Sequence, residues 1–168
     1  MTVSIGQGTT TISVSFVHCG PGHGISVGSL GKYSDEKDVD GVHVSNCTIN
    51  GTQNGVRVKT WPGAPQGQGS NLVFEDIAMI NVSNPIIADQ EYCPSNTYKT
   101  MKPSRAKLGD MKFKNISGTY RSKFAVSLLC SSDVPCESVQ VVDISLHSTV
   151  AEESETYNFV TRGGIDGL

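Results

Sequence analysis

The chain has 168 residues, a net charge of -3 and 17% charged residues. That length supports one domain with its own core, so folding does not hinge on disulfides or a metal for want of size. Lys and Arg are scattered, which supplies no basic field for nucleic acid, and no apolar run is long enough to span a membrane. Gly, Ser, Thr, Val, Asn and Ile dominate while the helix-filling Leu, Ala, Glu and Lys are sparse, a balance that favours an all-β fold.

The chain opens on Met1-Thr-Val-Ser-Ile-Gly6, the alternation of a strand without a preceding turn, cap or amphipathic helix. It reads as a solenoid entered in mid-fold, truncated at its N-terminal side. The first twenty residues have neither the charged start nor the apolar middle of a signal peptide. Alternating segments then recur, beginning at Ile12, Val42, Leu72, Met111 and Val139, with spacings of 30, 30, 39 and 28 residues. In each copy the first and third residues are apolar and share one strand face. The fifth is Phe16, Asn46, Asp76, Asn115 or Asp143, and Asn or Asp suits a corner because its side chain bonds to nearby backbone. A second strand follows four of the copies, at Gly24 to Val27, Gly55 to Val58, Pro85 to Ala88 and Phe124 to Leu128.

Short strands recurring at this period with little helix predict a parallel β-helix, each repeat forming one coil. A propeller, with four strands and a longer period per blade, fits less well. The predicted organisation is a single partial β-helix domain over 1–168, with a loop excursion at about 93–108 accounting for the long third spacing.

Five cysteines match no zinc-ligand spacing, and neither metal nor cofactor is expected. Cys130 and Cys136 bracket a Ser-Ser-Asp-Val-Pro turn and are expected to close a small disulfide loop, which suits an oxidising compartment. Four sequons, at Asn46, Asn50, Asn81 and Asn115, are candidate glycosylation sites of a secretory protein, although such triplets also arise by chance in Asn- and Ser-rich chains.

In Cys19-Gly-Pro-Gly-His-Gly-Ile25 one histidine stands between glycines that let the backbone turn sharply and approach a ligand. The plainer reading is a Gly-rich bend with an exposed His. About one coil later Arg57 and Lys59 lie two apart on a strand and project from the same face. Two such cations are often only a solvated strand surface; beside His23 they suit carboxylates that need charged donors, as on an acidic polysaccharide. Trp61 is read as packing on the solenoid, with stacking on a sugar as the alternative.

The segment 19–31 followed by Asn54-Gly-Val-Arg-Val-Lys-Thr-Trp61 resembles the plant polygalacturonases of glycoside hydrolase family 28, nearest to pollen-type exo-acting members. That family's pattern runs through Asn-Thr-Asp, Asp-Asp, Gly-His-Gly and Arg-Ile-Lys. The last two correspond to Gly22, His23 and Gly24 and to Arg57, Val58 and Lys59.

The resemblance implies a right-handed β-helix that hydrolyses α-1,4-galacturonosyl linkages of pectin with inversion, in the cell wall. It implies that Arg57 and Lys59, with Gly22 and Gly24, bind substrate, and that His23 supports the catalytic carboxylates. It also implies that Tyr92 is a groove residue. Inverting hydrolysis requires an acid and a base carboxyl. The family's Asn-Thr-Asp and Asp-Asp are not in this sequence, and Met1 and Thr2 stand where Asp and Cys are expected. That Cys is the partner the resemblance implies for Cys19. The acidic cluster Asp35, Glu36, Asp38 and Asp40 reads as surface charge flanking the groove.

Two functions are therefore expected to compete, a hydrolase of which this chain holds the binding half and a non-catalytic pectin-binding or protein-interaction β-helix. A degenerate relic whose exposed first coil aggregates is a third possibility. Family membership points to a secreted protein.

Overall fold

The computed structural model describes residues 1–95, 102–150, 159–162 and 165–166. The strands, in chain order, are β1 (Val3–Ile5), β2 (Thr10–Ser15), β3 (His18–Cys19), β4 (Ile25–Leu30), β5 (Val39–Asn50), β6 (Asn54–Thr60), β7 (Gly67–Val82), β8 (Asn84–Asp89), β9 (Ala106–Tyr120), β10 (Val126–Leu129), β11 (Cys136–Ser148), β12 (Phe159–Arg162) and β13 (Ile165–Asp166). They alternate between two sheets. The first runs β1-β4-β6-β8-β10-β12 and the second β13-β11-β9-β7-β5-β2, with every pairing parallel. This is a right-handed parallel β-helix, each coil rising by one strand spacing, about 4.8 Å.

Register follows the sequence repeat residue for residue. Ile12 pairs with Val42, Val42 with Leu72, Leu72 with Met111 and Met111 with Val139. Two residues on, Val14, Val44, Phe74, Phe113 and Val141 form a second column, in which the Phe74 and Phe113 rings stack at 5.3 Å. A one-residue slip would turn each column out of the core, so the alternation fixes the register. Ile12 is 37% exposed whereas Val42, Leu72, Met111 and Val139 are buried, because β2 lies at the edge of its sheet.

The predicted corner is also present. Phe16, Asn46, Asp76, Asn115 and Asp143 all have φ between 50° and 57°, the left-handed region that Asn and Asp tolerate best. A second such column, Thr11, Gly41, Asn71, Asp110 and Ser138, lies five residues earlier in each coil. The second sheet is therefore bent twice, giving the coil its polygonal cross-section. The sequence alone does not reveal this second bend, because its mixed residue types share no pattern.

Two boundaries differ from expectation. β10, in the first sheet, starts at Val126, which pairs with Ile86; Phe124 lies before it, and Ala125 takes the place of Pro85. The long connection was expected to reach residue 108, but β9 begins at Ala106 and Leu108 is fully buried, since Gly67 to Gly69 offer it a strand to pair with. Residues 96–101 of that connection lie outside the described residues.

Candidate functional site

The first sheet turns Val56 and Val58 inward, fully buried, so the period of two sends Arg57 and Lys59 outward from β6. The connection after β8 brings Tyr92 over them. The Lys59 ammonium lies 4.5 Å and the Arg57 guanidinium 5.3 Å from the centre of the Tyr92 ring. Both are within cation–π range. Trp61 meets Tyr92 edge-on at 5.8 Å, and Lys32 stands 5.7 Å above the Trp61 ring. Three cations and two rings thus form one strip running across neighbouring coils.

Burial pushes the Arg57 pKa down, opposed by the negative character of Tyr92 and Asp89. Burial also lowers that of Lys59, and repulsion from Arg57 adds to it. Neither cation has a salt bridge among the described residues. Partly desolvated charges without a paired carboxylate are a chemical match for an anion from outside the chain.

His23 sits elsewhere on this surface. It is exposed, and its Nδ1 is 2.8 Å from Gln53 Oε1 on the next coil; its backbone N–H donates to Thr2 Oγ1 at 3.1 Å. Among the described residues it makes no hydrogen bond to Arg57 or Lys59. Arg57 pairs with Ser26, three residues beyond His23, so His23 lies in the bend before β4 while Arg57 lies within β6. The site is therefore a strip with His23 toward one end and the cation–aromatic cluster toward the other.

The glycines around His23 are fixed by close approach. A Cβ at Gly24 would lie 2.0 Å from the Asn54 carbonyl oxygen, and one at Gly22 would lie 2.9 Å from Thr2 Oγ1. Both have positive φ, 88° and 149°. They let this turn lie flat on the coils beside it, so they position His23.

The acidic cluster is tied into loops. Glu36 accepts from the backbone N–H groups of Gly31, Lys32 and Tyr33, and Asp38 from that of Gln68. Asp40 accepts from Ser70 and Asn71 at 2.9 and 2.7 Å, which holds its pKa below the ordinary carboxylate value.

Cys130 and Cys136 form a disulfide that closes the turn between β10 and β11. Cys19 and Cys47 are buried free thiols. The sequon residues Asn46, Asn50, Asn81 and Asn115 are all exposed. Asn46 and Asn115 share the corner column on either side of Asp76, whose Oδ1 accepts from Asn115 Nδ2 at 2.7 Å.

Sequence reasoning missed Lys32, Gln53 and the role of Trp61 as support for Tyr92. Lys32, Trp61 and Tyr92 lie about one repeat apart, but in connections between strands, where no alternation marks the residues that meet. Gln53 was findable, since it lies about one repeat after His23.

A solenoid of the parallel β-helix class with a cationic, aromatic-backed strip on one sheet is a narrow description. The sequence pattern of glycosyl hydrolases family 28 matches residues 2–163, and the chain belongs to that family. It is 55% identical over 144 residues to an exopolygalacturonase from Arabidopsis thaliana, covering 86% of this chain and 32% of the relative. An exopolygalacturonase from Platanus acerifolia is 50% identical, with 86% and 38% covered, and a polygalacturonase from Gossypium barbadense 49%, with 89% and 37%. The chain thus spans about a third of the length of these relatives, 32% to 38%. The solved structure of an endo-xylogalacturonan hydrolase from Aspergillus tubingensis superposes with a TM-score of 0.73 at 25% identity, over 98% of this chain and 47% of that one.

Proposed function

We propose that this chain forms the uronate-binding part of a polygalacturonase that cleaves α-1,4-galacturonosyl linkages of pectin with inversion, in modification of the plant cell wall. The observation behind this reading is the half-buried pair Arg57 and Lys59, held over Tyr92 without an ion-pair partner among the described residues. Their spacing along one strand suits the carboxylates of an acidic, extended sugar chain. His23 supports the catalytic carboxyls from the other end of the strip. A secreted protein is the matching setting, with the four exposed sequons glycosylated and the Cys130–Cys136 loop oxidised.

Inversion requires an acid and a base carboxyl on opposite sides of the scissile bond. Asp38 and Asp40, the nearest cluster in sequence, are instead engaged in loop hydrogen bonds. The 168-residue chain alone is therefore a binder, and incubation with polygalacturonate is expected to release no reducing ends above blank. Turnover by this chain overturns the assignment of the acid–base pair to residues outside it. The alternative, a β-helix that binds pectin with no link to cleavage, is separated by assay of a longer form containing the Asn-Thr-Asp and Asp-Asp motifs.

A further inference from the structure

Two side-chain polar atoms among the described residues are buried without a hydrogen-bond partner, Ser26 Oγ and Arg57 Nε. They belong to register partners on the adjacent strands β4 and β6. Ile25 and Val27 on one strand and Val56 and Val58 on the other are fully buried in the core, so Ser26 and Arg57 both point to the outer side of the sheet. The strands are about 4.8 Å apart, which lets one oxygen placed between the two side chains reach both.

The pair can present two donors to one acceptor, the serine oxygen being able to accept as well. A guanidinium has donors only, and the serine hydroxyl is free to turn its proton outward. Buried donors without acceptors are costly and uncommon in folded proteins. Along the same column Arg57 is followed by Ile87, whose side chain offers no acceptor, and Ser26 is preceded by Ser4, whose hydroxyl makes no hydrogen bond to it. Ser26 is 4% exposed, so an acceptor enters only when the covering side chains part. Arg57 is suited to move, since it rests on the Tyr92 ring rather than in a salt bridge.

We propose that Ser26 is a further substrate-binding residue: its hydroxyl and the Arg57 Nε–H converge on one carboxylate oxygen of a bound uronate. This rests on the uronate-binding reading of Arg57 given above and adds a residue which that reading does not use. Ser26 then distinguishes a carboxylate from its methyl ester, because the ester removes the charge that makes both hydrogen bonds strong.

The test is titration calorimetry of the 168-residue chain with trigalacturonate and with its methyl ester, together with thermal melting, for the unaltered chain, Ser26→Ala and Arg57→Ala. Ser26→Ala is expected to weaken trigalacturonate binding about tenfold, in line with loss of a hydrogen bond to a charged group. Its effect on the methyl ester should be much smaller. Its melting temperature should be unchanged or higher, since a methyl replaces a buried hydroxyl that has no partner in the free chain. Binding that is lost in Arg57→Ala yet unchanged in Ser26→Ala overturns the role of Ser26 alone. A Ser26→Ala chain that melts lower with unaltered affinity, or fails to fold, marks the serine as structural and also overturns it. No binding by the unaltered chain overturns the uronate-binding reading and this inference together.

Discussion

The chain contains two pairs of basic residues with the same spacing on the outer faces of strands, and their surroundings separate them. Arg57 and Lys59 on β6 lie under Tyr92, lose solvent and are held beside each other. Lys112 and Lys114 on β9 have no aromatic ring near them among the described residues, and Lys114 pairs in register with Glu75 across the coil. Both pairs satisfy the same alternation. What sets the first pair apart is the connection that brings Tyr92 over it, since each pair has a carboxylate as a register neighbour, Asp89 beside Lys59 and Glu75 beside Lys114. A charge pattern on a solenoid therefore gains meaning only from the turn beside it.

Removing each pair in turn separates the effect of its surroundings from that of net charge. The Arg57→Ala, Lys59→Ala double variant is expected to lower affinity for polygalacturonate by about 100-fold or more, as two charge-assisted contacts are lost. Lys112→Ala with Lys114→Ala should change it by less than about threefold at moderate salt, where solvated charges are screened. Equal losses from both pairs, read by affinity electrophoresis, would show that net charge alone governs binding.

Next in size is Tyr92→Ala, expected to weaken binding about five- to tenfold by loosening the side chains it orders. Tyr92→Phe keeps the ring and should lie close to the unaltered chain in the same assay.

A pH titration sharpens the electrostatic side. With its pKa lowered by burial and by Arg57, Lys59 loses its proton on alkalinisation before an ordinary lysine, near 10.4, does so. Affinity should fall as pH rises through that lowered value, and Lys59→Arg should delay the fall. Stability has the opposite sign at this residue. The unfolded chain binds the proton more tightly, so the Lys59 penalty is present at neutral pH and relieved between the lowered and the ordinary value. Lys59→Met should therefore raise the melting temperature slightly at neutral pH while weakening binding; a lower melting temperature would contradict the direction given for Lys59.

The smallest effect concerns Asp40, a surface carboxylate whose Oδ1 accepts from Asn71 and Ser70. Its lowered pKa stabilises the fold above the ordinary carboxylate value, and this contribution is lost as pH falls through the lowered one. Asp40→Asn should flatten the acid limb of the melting curve, and an unchanged limb would show that the bonds to Ser70 and Asn71 are not formed in solution.

The coils were legible in the sequence because their information is periodic. Ile12, Val42, Leu72, Met111 and Val139 repeat an apolar demand, and the pairing meets it in register. The corner at Asn46, Asp76, Asn115 and Asp143 was readable from residue type, since few side chains tolerate that backbone. Its counterpart at Thr11, Gly41, Asn71, Asp110 and Ser138 was not, because tertiary packing imposes the same conformation on unlike residues. Arg57 and Lys59 were legible as one face of a strand. The ring between Lys32 and Tyr92 that Trp61 provides was not: the three lie about one coil apart but outside the strands, where no alternation marks facing residues.

Leu72 and Met111 stay in register although 39 residues separate them, against 30 between the coils before. The nine additional residues are taken up in the stretch of chain that also contributes Tyr92, and the pairing holds one offset from Gly67–Ala106 to Met79–Gly118 before it slips by one at Val82–Tyr120. The stack thus separates two kinds of change. The spacing between strands is fixed by their hydrogen bonds, while a turn is free to grow sideways, so the wall of a groove can be rebuilt by lengthening turns with the paired strands left in place.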